Sequence, residues 1–141
     1  MPDIAPLAAE IRIVLNRLMR RLRQQQMADD LTMSQLSVLS LLRRAGSMTA
    51  GDLASREMVR PPSMTRLIAA LEADGLIERR NHPSDGRQVL VALTEAGGSR
   101  ADFEAAAREK WLSQQLVTNT TAEEREIVKK ALVVLRRIAE S

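Results

Sequence analysis

The chain contains no cysteine and no tyrosine, and only one histidine (His82), one tryptophan (Trp111) and one phenylalanine (Phe103). The missing cysteine excludes disulfides, thiolate metal sites, thiol catalysis and cysteine redox sensing. One histidine cannot form a His-rich metal cluster within a chain, and no metal or cofactor is expected. With aromatics nearly absent, the core has to be built from Leu, Ile, Val, Ala and Met. No apolar run approaches the ~18 residues a membrane span needs. The opening MPDIAPLAAEIRIVLNRL carries Asp3 and Glu10 early and lacks a basic leading segment. A secretory signal is therefore not expected, and the expected location is the cytoplasm. Neither a P-loop nor G-x-G-x-x-G nor H-E-x-x-H is present. His82, Ser84 and Asp85 lie within one turn, whereas a catalytic triad draws its members from converging elements. An enzyme is not expected.

What is present is a globular composition: 141 residues, 45% apolar and 28% charged. That length suits one compact domain with helical extensions. The formal net charge is +3. Only Lys110, Lys129 and Lys130 are lysines, so the cationic residues are overwhelmingly arginine. Arginine makes planar, bidentate contacts with phosphates and guanine edges; a GC-rich genome also enriches it. Residues 31–94 carry +2 of the +3.

Hydrophobic spacing predicts a long first helix over 4–28, with Ile4, Leu7, Ile11, Leu15, Leu18 and Leu22 on one face. Pro2 and Pro6 fit only its first turn. Its polar face holds Glu10, Asn16, Arg17, Arg20 and Arg23. The apolar stripe is longer than a small domain needs, which points to contact with another chain. Thr32-Met33-Ser34-Gln35 has capping-box form and opens a second helix buried through Leu36, Leu39 and Leu42 and closed by Gly46. Thr49 caps a short third helix with Leu53, Ala54 and Met58 inward. Pro61-Pro62 opens a fourth, ending near Asp74-Gly75. Two strands, 76–80 and 88–93, flank a turn-rich connection. Thr94 starts a fifth helix reaching about Leu116, weakened by Gly97 and Gly98. Thr121 with Glu124 caps a sixth, striped by Ile127, Ala131, Leu135 and Ile138. The expected fold is mainly α with a small β-hairpin wing (α+β). It is organised as a long N-terminal helix (1–30), a helix-turn-helix followed by a β-wing (31–94) and C-terminal helices (95–141), the terminal helices carrying spare apolar surface.

On a helical wheel, Met64, Leu67, Ile68 and Leu71 of the fourth helix face inward. Pro62, Arg66, Ala69 and Ala73 face outward, with Ser63, Thr65 and Ala70 on the shoulders. A solvated face would carry Lys and Glu; this one is smooth and bears a single Arg, which suits insertion into a DNA groove. Alanine is also simply a good helix former. The start of the helix is expected to offer free amides and a partial positive charge. In the connection, Arg79, Arg80 and Arg87 lie with His82 and Ser84. Arg87 near the tip suits the minor groove, and His82 is expected to be an exposed polar contact. Asp85 either braces Arg87 or Arg66 or serves only the Pro83-Ser84-Asp85-Gly86 turn.

The run Arg60-Pro61-Pro62-Ser63-Met64-Thr65-Arg66-Leu67-Ile68 leads into Leu71-Glu72-Ala73-Asp74-Gly75-Leu76-Ile77-Glu78-Arg79. Asp85-Gly86-Arg87 and Leu93-Thr94-Glu95-Ala96-Gly97 follow. This pattern resembles the MarR family of multiple-antibiotic-resistance regulators, over nearly the whole chain. The resemblance implies a homodimeric transcription factor, usually a repressor, that binds double-stranded DNA at a pseudo-palindromic operator. The first, fifth and sixth helices would form the dimer. By position, Pro62, Ser63, Thr65 and Arg66 would face the major groove and Arg87 the minor groove, with Asp85 as the wing aspartate. Many members release DNA on binding a small phenolic or anionic organic effector. Arg17, Arg20 and Arg21 could pair such an anion or form a solvated face. Two other functions fit a winged helix: a protein-interaction or assembly module, and a nonspecific architectural DNA binder.

Overall fold

The structure is a computed structural model that describes residues 3–26 and 30–141. Pro2 and residues 27–28 of the expected first helix lie outside the described residues. The chain divides into two compact units, Gln26–Ala107 and Met1–Gln25 with Arg108–Ser141.

The Gln26–Ala107 unit is built around its second helix. Thr32 caps α2 (Met33–Ala45) through the expected capping box, with Thr32 Oγ1 accepting from the Gln35 amide at 3.2 Å and Gln35 Oε1 from the Thr32 amide at 2.8 Å. Gly46, at φ +86°, ends it. Leu36, Leu39 and Leu42 are buried as expected, joined by Val38 and Leu41. The chain then forms β1 (Met48–Thr49), and Thr49 caps α3 (Ala50–Arg56) by accepting from the Asp52 amide. Next come α4 (Pro61–Ala73), β2 (Ile77–Asn81) and β3 (Val89–Leu93). Met64, Ile68 and Leu71 of α4 meet Leu39, Leu53, Ile77 and Val91 in one buried cluster. Truncating a residue as enclosed as Leu39 or Leu71 costs roughly 2–5 kcal/mol.

The expected β2–β3 wing hairpin is present, and β1 extends it: β1 pairs with β3 (Met48↔Val91, Thr49↔Leu90), giving a three-stranded antiparallel sheet in the order β1-β3-β2. A two-residue strand has no alternation to read in sequence. Met58, expected inside, is 95% exposed. α3 stops at Arg56, and the Val59 amide reaches back to Ala54 O while the Met58 amide bonds Ser55 O, a Schellman closure. That closure sets Met58 at φ +54° and turns Val59 to the core in its place.

The junction after β3 explains two glycines. Thr94 Oγ1 donates to Gly75 O at 2.6 Å and accepts from the Gly97 amide at 3.1 Å, and the Thr94 amide bonds Leu76 O. The first turn of α5 (Glu95–Asn119) is thereby drawn onto the link between α4 and β2. A Cβ on Gly97 would sit 1.9 Å from Leu76 O, whereas one on Gly98 would meet nothing closer than Arg43 Nη1 at 3.5 Å. Further along α5, Arg100 bonds both oxygens of Asp30 (2.6 and 3.0 Å) and reaches the buried Glu104. Its guanidinium holds the Asp30 carboxyl below the usual range, chiefly through these hydrogen bonds.

The other unit comprises α1 (Ile4–Arg23), the remainder of α5 and α6 (Ala122–Ala139). Pro6 falls in the first turn of α1. The expected extension of α1 to 28 fails after Arg23: the residues following Leu22 at helical spacing are Gln25 and Gln26, which give the stripe nothing to bury. α5 runs to Asn119, three residues past the expected end. Thr121 and Glu124 form the expected capping box on α6. No described residue of this unit is buried. Ile4, Leu7, Leu15 and Leu18 of α1 and Ile127, Leu132, Val133 and Ile138 of α6 are exposed.

Gly97→Ala is expected to destabilise the protein by about 1–3 kcal/mol through overpacking against the Leu76 carbonyl. Gly98→Ala is expected to be neutral or stabilising by up to about 1 kcal/mol. Thermal melts of both variants check the pair. Because the Asp30 pKa is lowered by folding, its contribution is present above the ordinary aspartate range and is lost as pH falls through the lowered value. Asp30→Asn should flatten the acid limb of a stability-against-pH curve.

Candidate nucleic-acid interface

The exposed surface of α4 follows from what its other side buries. With Met64, Ile68 and Leu71 enclosed, Pro61, Pro62, Ser63, Thr65, Arg66, Ala69 and Ala73 are exposed. Leu67, expected inward, is partly buried against the core edge. Arg60 is the N-cap, and Pro61 and Pro62 occupy the first helical positions. This corrects the expectation of several free amides. Two of the first-turn positions have no N–H at all, and the Met64 amide is bonded to Arg60 O at 3.0 Å. Of the first three helical residues, only Ser63 keeps an N–H, and it has no intrahelical partner. Thr65 Oγ1 donates to Pro61 O at 3.0 Å, which commits its hydrogen and leaves the oxygen as an acceptor.

The arginines of this unit divide into two groups. Arg79 pairs with Glu72 at 3.2 Å, Arg80 Nε with Glu78 at 2.7 Å and Arg87 with Asp85 at 3.3 Å. Arg43 pairs with Asp102 and Arg100 with Asp30 and Glu104, whereas Arg44, Arg56, Arg60 and Arg66 are exposed and have no ion-pair partner among the described residues. Arg60 was missed as a candidate, although its place directly ahead of Pro-Pro at the helix entry was visible in the sequence. A groove of about 330 Å³ runs beside α4, lined by Thr32, Gln35, Val59, Ser63, Arg66 and Leu67 among others.

In the wing, Asp85 Oδ1 accepts from both the Arg87 amide (3.1 Å) and Arg87 Nε (3.3 Å). It therefore shapes the turn and braces Arg87; Arg66 is not its partner. Arg87 remains highly exposed, with 93% of its side chain accessible. His82 is not the free polar contact expected from sequence. It is half-buried, and its Nδ1 accepts from the amides of Ser84 (3.1 Å) and Asp85 (3.0 Å). Its own amide bonds Gln88 O, closing the connection. Ser84 Oγ also lies 3.2 Å from Nδ1. On α1, Arg17 and Arg20 are exposed, while the Arg21 guanidinium lies 5.1 Å over the Trp111 ring.

Residues 31–89 match the model of the MarR family. The chain is 44% identical to an HTH-type transcriptional regulator of Mycobacterium tuberculosis, covering 90% of this chain and 88% of that one. It is 34% identical to the multiple antibiotic resistance protein MarR of Salmonella typhimurium, over 86% and 85% of the two chains. The chain belongs to the MarR family. It is a DNA-binding transcriptional regulator of the winged helix-turn-helix class. Among solved structures, MarR of Escherichia coli in its apo form is 30% identical, with a TM-score of 0.79 over 92% of this chain and 96% of that one. A transcriptional regulator protein from Pseudomonas aeruginosa is 31% identical, with a TM-score of 0.84 over 100% and 98%. No helix among the described residues is long and apolar enough to cross a membrane.

His82→Ala should release the Ser84 and Asp85 amides, at a local cost of roughly 0.5–1.5 kcal/mol per lost bond. Amide hydrogen exchange should speed up at those two residues and not in β2. His82→Asn, whose side-chain oxygen can accept from the same amides, should restore most of the protection.

Proposed function

We propose that this MarR-family regulator is a homodimeric repressor reading a pseudo-palindromic operator, with one α4 in the major groove of each half-site. Pro62, Ser63, Thr65 and Arg66 meet the base edges and nearby phosphates. His82, Ser84 and Arg87 bring the wing to the adjoining minor groove, with Asp85 bracing Arg87. The observation that carries this reading is the outer side of α4: small residues around one exposed arginine that no carboxylate in the described chain neutralises. An unpaired guanidinium keeps its full donor fork for a guanine edge or a phosphate.

The dimerisation regions proposed are residues 1–30 and 95–141, flanking the DNA-binding segment 31–94. Support comes from the apolar residues of α1 and α6 that one chain leaves exposed. Burying such surface contributes roughly 25 cal/mol per Å², and a two-fold pair of these helices buries it on both copies. A dimer fixes the spacing of the two α4 helices. A small organic effector, anionic or phenolic, that favours another spacing lowers operator affinity without touching a base contact. The role is binding rather than catalysis, and it is exercised in the cytoplasm, where the operator is.

Arg66→Ala is expected to weaken operator binding by about 1–3 kcal/mol and to relax base preference at one position. Arg87→Ala should instead reduce the slope of log affinity against log salt by about one. Mobility-shift titrations in a salt series measure both. Full operator affinity in both variants would remove these site assignments. Deleting residues 122–141 should abolish the dimer in sedimentation; a folded monomer that binds the operator equally well would contradict the dimer.

A further inference from the structure

Met58 is the one described non-glycine residue with positive φ, at +54°, and it is 95% exposed. Both properties run against local physics. The Schellman position that it occupies favours glycine, because an L side chain in the left-handed region crowds the following carbonyl. An apolar thioether held almost wholly in water forgoes the stabilisation that burial gives. The turn itself is not slack. The Val59 amide bonds Ala54 O at 2.9 Å, and Glu57, the residue before Met58, accepts from Ser37 Oγ of α2 at 2.7 Å. A rigid turn thus holds a flexible apolar side chain outward, three residues ahead of the first residue of α4. After the core-packed Val59, the exposed Arg60, Pro61, Pro62 and Ser63 follow it in the chain.

We infer that Met58 is a DNA-contacting residue at the flank of each half-site, resting on the placement of α4 in the major groove proposed above. The duplex offers two apolar surfaces at that depth: the C5-methyl group of thymine and the edge of deoxyribose. Methionine suits either, since its unbranched chain adapts its shape and its sulfur is polarisable. The contact adds apolar complementarity beside the charged contact of Arg66 and confers preference at a position flanking α4's own base contacts.

The test uses the full-length protein and a duplex selected by it from a random-sequence pool. Met58→Gly relieves the backbone strain and removes the side chain. Expected is a melting temperature no lower than that of the wild type together with an affinity loss of about tenfold, the order of one thioether's burial. A structural role would lower stability and affinity together. Replacing the flanking thymines by uracil identifies the surface. If the wild type loses affinity on uracil while Met58→Gly does not, the methyl group is the contact; equal affinities on both duplexes with the tenfold loss retained assign the deoxyribose edge. Wild-type affinity in Met58→Gly beside a loss in Arg66→Ala overturns this inference and leaves the α4 reading intact. Wild-type affinity in both variants overturns the two together.

Discussion

The burial of Met64, Ile68 and Leu71 is the constraint from which the external behaviour of the protein follows. These three side chains on one stripe of α4 decide its rotation about its own axis. Rotation in turn decides that Pro62, Ser63, Thr65, Arg66 and Ala69 face outward. Nothing on the outer side could enforce this: it is small, mostly uncharged and makes few contacts within the chain. Which side of α4 is presented outward is thus set from the inside, by aliphatic packing against Leu39, Leu53 and Ile77.

The surrounding elements keep that rotation from drifting. β1 is only two residues long, yet by pairing with β3 it makes β3 the central strand and ties the start of α3 to the wing. On the other side, Thr94 and Gly97 draw α5 against the Leu76 carbonyl so closely that no side chain fits between. Gly97 thus loosens its helix by propensity and is nonetheless required by packing, two opposite effects at one position. The ion pairs of the unit act differently. The Arg43–Asp102 bridge is about half exposed on both sides, where such pairs contribute little. Arg100 is largely covered and joins Asp30 to the buried Glu104, so it orients the start of the segment before α2.

Much of this was legible in the sequence, for identifiable reasons. Capping boxes at Thr32 and Thr121, the glycine stop at Gly46 and the Pro-Pro entry to α4 are local chemistry, and local chemistry is written in neighbouring letters. The inward and outward sides of α4 were legible because they repeat at helical spacing. What escaped depends on distance or on the backbone. β1 exists only because β3 lies beside it. Met58 looked like a core methionine because the helix was assumed to continue, and the Schellman closure that ejects it leaves no glycine to mark it. The free amides expected at the start of α4 were an oversight of chemistry already on view, since two prolines supply none. Asp85 showed its two readings to be one, as a single oxygen both shapes the turn and holds Arg87. The surface of α1 and α6 was visible as unsatisfied stripes, and one chain leaves them so.

His82 Nδ1 is occupied as an acceptor by two backbone amides. In the neutral ring the hydrogen therefore resides on Nε2, and the tautomer is fixed by the fold. The remaining edge of the imidazole is accordingly a donor, with no lone pair of its own to offer. Adenine N3, thymine O2 and phosphate oxygens are all acceptors, so the polarity of this edge matches them and is mismatched to a donor such as the guanine 2-amino group.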